Sequence, residues 1–312
     1  MLPGGLAEVL AAIDPPPGLA DRVARLTTAY RSHGGAAGPV FRDDHDRLAY
    51  ALVRMPATAL AVAHALDAAA VPVAGSLLDL GSGTGAALWA AHARLADDAV
   101  PVAVDRDPGL LALSARLLAA VDRRIDGRRG DLTDPPAGRW ELVTAAYALG
   151  ELPADRLPAA VDAAWERCTG HLAVVEPGTP RGAATIAAVR ARLLARGAFL
   201  RAPCPHHGPC PLAAPDWCHV AVRVPRSRLH RQLKGGTLGG ETEHLSYVVA
   251  TRNPAPRPAA RVLTAPVRGP AGIDLVLCRN DGSAGPGRIP RRDPAHAAAR
   301  RLDQGDGWDP PA

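Results

Sequence analysis

The stretch LLDLGSGTGAALWAA (Leu77–Ala91) sets glycines 81, 83 and 85 between an apolar run and a helix-forming one. Glycine lets the chain turn tightly and lets a ligand approach without a Cβ in the way. The helix that follows offers free N–H groups at its start. The spacing is G-x-G-x-G, not the G-x-G-x-x-G of dinucleotide sites. Asp79 stands just ahead of the turn, where a carboxylate would repel a diphosphate. It suits instead a ligand carrying an amino group and a positive sulfonium. The next apolar run, PVAVD, ends in Asp105, which is placed to accept both hydroxyls of a ribose, as in other doubly wound nucleotide sites. Asp131, in RRGDL, is placed to accept from an adenine amino group. The candidate cofactor-binding residues are therefore Asp79, Gly81, Ser82, Gly83, Gly85, Asp105 and Asp131.

With these residues in this order, roughly Gly75–Arg201 resembles the class I S-adenosylmethionine-dependent methyltransferases. Members that methylate base amino groups carry an Asn/Asp-Pro-Pro-aromatic run after the fourth strand, and those that attack pyrimidine C5 use a cysteine. The corresponding segment here is ELVTAAYALGELP (Glu141–Pro153), which has neither. Tyr147 and Glu151 are its polar candidates. Glu151 reads first as a cap for the following helix and second as a general base. Methyl transfer that proceeds mainly by positioning needs no acid or base, so a catalytic residue is not assigned.

A second chemistry lies in APCPHHGPCPLAAPDWCHVAVRVPRSRLHRQLKGG (Ala202–Gly236), where Cys204, Cys210 and Cys218 are separated by five and then seven residues. Structural zinc sites take tighter C-x(2–4)-C knuckles. Wider loops suit the corners of an iron–sulfur cube, which needs four thiolates. Cys278 completes the set if the Ile273–Cys278 run packs against the segment. His206, His207 and His219 are alternative fourth ligands, zinc is the alternative metal, and buried thiols without metal remain open. The His206–His207 pair reads more readily as surface or phosphate-contacting histidines. Cys168 reads as an ordinary buried thiol. Arg223, Arg226, Arg228, Arg231 and Lys234 follow at once, with His230, as a run suited to phosphate backbone. Few aromatic residues accompany them, so structured RNA fits better than stacked single strands.

These residues must be held by elements that the rest of the 312-residue chain supplies. It is 47% hydrophobic and 21% charged, enough to bury a core, while aromatics are only 4%, so that core must be mainly Ala, Leu and Val. Residues 1–200 carry 20 basic and 22 acidic side chains, and residues 201–312 carry 16 and 9, so the net charge of +5 resides in the last third. Polyanions are thus the expected partners of that third. Five cysteines do not make a secreted disulfide scaffold. The N-terminus lacks a basic n-region, and the Ala-rich stretch around Thr58–Ala70 is interrupted by His64 and Asp67. A cytoplasmic protein without membrane insertion, and a monomer, is expected.

Residues 1–74 read as helical, with Pro56 breaking or kinking Asp43–Ala70. From Gly75, apolar runs (Leu77–Leu80, Val100–Val104, Leu142–Ala146, His171–Val175) alternate with helical segments (Gly85–Ala96, Pro108–Val121, Ala154–Arg167, Gly182–Gly197). That pattern predicts an α/β, Rossmann-like doubly wound parallel sheet over residues 75–200. Residues 201–290 form a Cys-rich, basic extension, without periodicity in 201–240 and with strands at Ser246–Ala250 and Ile273–Cys278. Beyond Gly282 the chain reads as extended or partly disordered, with 291–312 as a tail.

Taken together, RMPATALAV (Arg54–Val62), LLDLGSGTG, AAYALGELP, VVEPGTPRG (Val174–Gly182), PCPHHGPCP…DWCH and ETEHLSYVVATR (Glu241–Arg252) resemble one family. It comprises the methyltransferase-like proteins of the mitochondrial small ribosomal subunit and their bacterial relatives. The resemblance implies an S-adenosylmethionine site, a [4Fe–4S] cluster on Cys204, Cys210, Cys218 and Cys278, and action on 16S-type rRNA of the small ribosomal subunit, by methylation or as a non-catalytic assembly factor. A zinc-containing methyltransferase of another substrate is the remaining alternative. Where the family is often lysine-rich, this chain has arginine, which adds bidentate geometry toward phosphate.

Overall fold

The computed structural model describes residues 2–32 and 41–311. Three helices come first: α1 (Leu6–Ala11), α2 (Leu19–Ser32) and α3 (Asp44–Ala68). Asp43 caps α3, its carboxylate accepting from the Asp46 amide at 2.9 Å. Asp46 is itself wholly buried. Burial pushes its carboxyl up, but the Arg42 amide and the Arg25 and Arg22 guanidiniums outweigh that and hold it at about 2. This ion cluster fixes α3 to α2. Pro56 does not break α3, which runs through it as one 25-residue helix. Its small and apolar side chains, among them Ala49, Leu52, Met55, Ala59 and Val62, are buried along its whole length. Packing on that scale outweighs the ~3 kcal/mol an interior proline costs. By length and composition α3 would cross a membrane, but 67% of its apolar window is buried inside this fold, as in a core helix.

The main sheet then begins with β1 (Leu77–Leu80), α4 (Ala86–Ala91), β2 (Val102–Asp105), α5 (Pro108–Ala119), β3 (Asp126–Arg129) and β4 (Trp140–Ala146). It continues with α6 (Leu157–Arg167), β5 (Cys168–Pro177), α7 (Pro180–Ala195), β6 (Phe199–Ala202), β7 (Val220–Pro225), α8 (Arg228–Lys234) and β8 (Gly240–Thr251). The strand order is β3-β2-β1-β4-β5-β8-β6, with β7 also on β8. The first five strands are parallel, as alternating strands and helices require. The sheet is nevertheless mixed, because β8 runs antiparallel to β5, and β6 and β7 run antiparallel to β8. Since β6–β8 belong to it, this sheet extends well past residue 200, where a division was expected.

Alternation along each strand feeds two cores. Leu77, Ala103, Leu142, Ala173 and Val249 face α3, α4 and α5. Their neighbours Leu78, Val104, Val143, Val174 and Val248 face α6 and α7. A helix layer on each face is the doubly wound, Rossmann-like arrangement.

A second, antiparallel sheet follows, of β9 (Ala260–Val262), β10 (Val267–Gly269), β11 (Gly272–Arg279) and β12 (Ala284–Pro290), then α9 (His296–Ala299) and β13 (Gly307–Trp308). The segment beyond Gly282, expected to be extended or partly disordered, is ordered. β12 pairs with β11 over seven residues and β13 pairs with β9. Trp308, Leu302 and Ala299 bury themselves on Ile273, Leu275 and Val262. That is a third small core, which the tail must join to be complete.

Candidate functional site

A cavity of about 330 Å³ opens at the C-terminal ends of β1, β2 and β4, roofed by α3. It lies where the chain, having built β2 and β3 on one side of β1, crosses to β4 on the other. Such a switch point is where open α/β sheets bind ligands. Gly81, Ser82, Gly83 and Thr84 form one wall. Gly81 and Gly85 have left-handed φ of +68° and +81°, and a Cβ on Gly81 would stand 2.6 Å from Ala148. A Cβ on Gly83 (φ +53°) would touch nothing nearer than the Gly81 carbonyl at 4.0 Å, so its absence leaves room on the cavity side rather than serving packing.

Of the predicted cofactor residues, Asp79, Gly81, Ser82, Gly83 and Asp105 line this cavity. Gly85 starts α4 beneath it, packed on Ser114. Asp79 is 1% exposed. Its Oδ1 accepts from the Thr144 hydroxyl at 2.7 Å, while its Oδ2 makes no hydrogen bond of good geometry, and the nearby Ser82 hydroxyl, which offsets part of the burial by lowering the carboxyl, is likewise unpaired. Burial pushes the Asp79 carboxyl up to about 6. An orphaned buried carboxylate oxygen on a cavity floor fits a cationic donor from a ligand. Asp105 Oδ2 accepts from the Gly83 amide at 2.7 Å and its Oδ1 from the Asp107 amide at 2.9 Å. These bonds tie the glycine turn to the end of β2 and leave each oxygen a further lone pair. Burial raises this carboxyl too. Asp131 is placed differently. Gly130 and Leu132 line the cavity, whereas Asp131 accepts from the Thr133 amide and hydroxyl and faces Arg106 at 3.6 Å.

The segment after β4 also differs from its reading. Glu151 does not cap α6, whose start has no side-chain cap, but lines the cavity. Desolvation and the nearby Asp105 raise its carboxyl. Tyr147 holds a left-handed φ of +56°, an uncommon conformation for a bulky residue. Its amide donates to Val175 O at 2.7 Å and its hydroxyl donates to Glu243 Oε1 at 2.8 Å. Glu243 also takes Arg54 at 3.2 Å. Neither Arg54 nor Glu243 stands out as a site residue in the sequence: Arg54 is a lone charge among Leu52, Val53, Met55 and Pro56, and Glu243 is one of two acids in the polar stretch ETEH.

The four predicted metal ligands line a second cavity of about 390 Å³, Cys204, Cys210 and Cys218 from the one long connection between β6 and β7 and Cys278 from β11. Burial raises the thiols of Cys204, Cys218 and Cys278, the last to about 11. Arg190 Nε–H points at Cys204 Sγ from 3.3 Å, and its other nitrogen donates to His206 O and Gly208 O, which holds the loop between the cysteines. Arg261, also buried, donates to Pro203 O at 2.8 Å and Gly305 O at 2.7 Å. His206 is buried, with Nε2 3.4 Å from Cys278 Sγ, and is not a surface histidine. His207 Nε2 accepts from the Leu200 amide, and His219 Nδ1 lies 3.2 Å from Trp217 O rather than among the thiols. Among the described residues no group of three or more His, Cys, Asp or Glu is gathered tightly enough to hold a metal ion. Cys168 is buried as the first residue of β5, its thiol pushed up to about 12.

The basic run is less free than its composition suggests. Arg226, in the turn between β7 and α8, pairs with Glu241, and Lys234, the last residue of α8, reaches the same carboxylate at 2.9 Å, so two of the five cations tie this turn and helix to β8. Arg231 donates to Arg226 O at 3.1 Å. Arg223 and Arg228 are exposed.

Among solved structures the chain is similar to a magnesium protoporphyrin IX methyltransferase from Synechocystis (13% identity, TM-score 0.43, 75% of this chain and 98% of that one). It is likewise similar to a TehB-like S-adenosylmethionine-dependent methyltransferase from Corynebacterium glutamicum (15%, TM-score 0.41, 75% and 99%). The human ribosome assembly protein METTL17, mitochondrial, is 36% identical over 155 residues, covering 44% of this chain. That match spans about a third of the relative's own length, 34%. The family described as mitochondrial small ribosomal subunit Rsm22 matches residues 44–309, which include every residue lining the two cavities except Phe41, and this chain belongs to that family.

Proposed function

We propose that this protein binds S-adenosylmethionine and an iron–sulfur cluster and acts in assembly of the small ribosomal subunit, on its 16S-type rRNA, in the cytoplasm. The observation that carries the cofactor reading is the orphaned Oδ2 of Asp79 on the floor of a cavity at the sheet's switch point, beside Asp105. Asp79 would face the ligand's amino group and sulfonium, the Gly81–Gly85 turn its chain, and Asp105 its ribose. Bound there, S-adenosylmethionine supplies an activated methyl group. The role in assembly is supported by family membership and by the human relative's description as a ribosome assembly protein.

The donor set of the second cavity fits a thiolate-ligated cluster. Four soft donors line one space, and two buried guanidiniums, Arg190 and Arg261, offer the charge that a set of thiolates calls for. Cys204, Cys210, Cys218 and Cys278 would hold it, and would order the loops around it. Phosphate contact would fall to Arg223, Arg228 and Arg231 more than to Arg226 and Lys234.

A non-catalytic reading is favoured by one detail. The hydroxyl of Tyr147, one of the two polar candidates of the segment after β4, is already committed to Glu243. Both readings predict co-sedimentation with immature small subunits. Labelled methyl transfer to those particles separates them: incorporation requires the enzyme, and co-sedimentation without incorporation the platform. Failure to co-sediment at all would overturn both.

A further inference from the structure

We propose that Arg54 is a carboxylate-recognition residue, so that one end of the first cavity receives both charged groups of an amino acid attached to the ligand. The proposal rests on the S-adenosylmethionine reading of that cavity and adds the residue that selects the methionine carboxylate.

The argument begins on α3. Tyr50, Arg54 and Thr58 recur every four residues, one above the other on a helical face, and all three line the cavity. They form a polar stripe on a helix otherwise buried in the core. Two arginines line the cavity, and they differ in kind. The Arg106 side chain is 64% exposed and turned to Asp131. Arg54 is inside, 29% exposed, and held from behind. Its partner Glu243 is not among the lining residues, so the ion pair places the carboxylate in the wall and the guanidinium toward the space. Tyr147 donates to Glu243 Oε1 at 2.8 Å and so fixes the anchor.

Among the described residues, Arg54 donates only to Glu243, at 3.2 and 3.4 Å. A guanidinium carries five N–H donors in a planar fork. Glu243 takes one N–H from each terminal nitrogen, which leaves three donors on a side chain that lines the cavity. Across the same space Asp79 Oδ2 waits for a cationic donor. A fixed cation and an unpartnered acid in one cavity match the carboxylate and the ammonium of an amino acid, and charge-assisted pairs of this kind discriminate strongly.

The test compares S-adenosylmethionine with its decarboxylated form, which keeps the sulfonium, the amine and the nucleoside and lacks the carboxylate alone. Calorimetric titration of the full-length protein should show S-adenosylmethionine bound roughly 10- to 100-fold more tightly. Arg54→Met, which keeps the length of the stem, should erase that preference and leave the affinity for the decarboxylated ligand unchanged. Because that substitution leaves Glu243 unpaired, the double substitution Arg54→Met/Glu243→Gln provides a second variant with no stranded charge, and it should behave the same way. Equal affinity of the wild type for the two ligands, or a preference that survives in either variant, would overturn the proposal while leaving the cavity reading intact. If the wild type bound neither ligand, the reading of the cavity would fall and the proposal with it.

Discussion

Replacing Asp79 by Asn should make the protein more stable and less able to bind its ligand, with a pH dependence that the structure fixes in sign. Asp79 is buried, and only one of its two oxygens is satisfied, by Thr144 at 2.7 Å. Burial raises its carboxyl from 3.8 to about 6. Between those values the folded protein holds a proton that the unfolded chain has released, so stability falls as pH rises through this window. Above pH 6 the loss is complete. A gap of about two units, at ~1.4 kcal/mol each, corresponds to a penalty on the order of 3 kcal/mol at pH 8. Asn keeps the acceptor for Thr144, carries no charge, and places its amide beside the Ser82 hydroxyl. Asp79→Asn should therefore gain on the order of 3 kcal/mol at pH 8, about 4 °C in Tm for a chain of this size, and little at pH 4. Urea unfolding of both proteins at pH 4, 6 and 8, with m unchanged, measures this. Ligand affinity of the wild type should fall as pH drops below 6, since the ammonium needs the ionised carboxylate, and that of the variant should be weak throughout. A stability gap of the same size at every pH, or an Asn variant less stable at pH 8, would refute the reasoning.

Three other outcomes are expected. Gly85→Ala puts a Cβ onto Ser114 Oγ at a φ of +81° and should cost several kcal/mol in a denaturant titration, with part recovered by Ser114→Ala. Cys204→Ser should remove iron and sulfide from anaerobically purified protein, with absorption near ~400 nm lost, while Cys168→Ser, buried away from the second cavity, should keep both. Arg228→Ala should weaken binding to small-subunit rRNA and lower the salt slope by about 1. Arg226→Ala should change that slope less and instead loosen α8, because its charge is already paired with Glu241.

The sequence showed most clearly what local pattern controls. LLDL at Leu77–Leu80 is β1 with the predicted bounds, and the glycine turn, Asp79 and Asp105 line one cavity. β7 and α8 carry local signals within residues 201–240, although that stretch as a whole has no periodicity. VAVRVP alternates Val220, Val222 and Val224 in the manner of a strand, and Ser227 caps α8 through the His230 amide at 3.1 Å, with Gly235 closing it at φ +60°. Other features depend on contacts made across the chain. Arg226 and Lys234 looked like free cations because Glu241, which pairs with both, arrives only when β8 returns beside β7. Pro56 signals a helix break locally, yet α3 is decided by what it packs against. The Gly- and Pro-rich AGPGRIP of β12 carries no strand signal, and is a strand because the exposed flank of β11 is there to pair with it. Arg54 gains meaning only once Glu243 stands behind it and a cavity in front.

The central claim, that the cavity at the switch point is an S-adenosylmethionine site, is tested most directly by titrating the purified protein with S-adenosylmethionine. Saturable binding of one ligand per chain, abolished by Asp105→Ala in a protein that remains folded, is the predicted result. A folded wild-type protein that shows no saturable binding, or an Asp105→Ala variant that binds as well as the wild type, would contradict it.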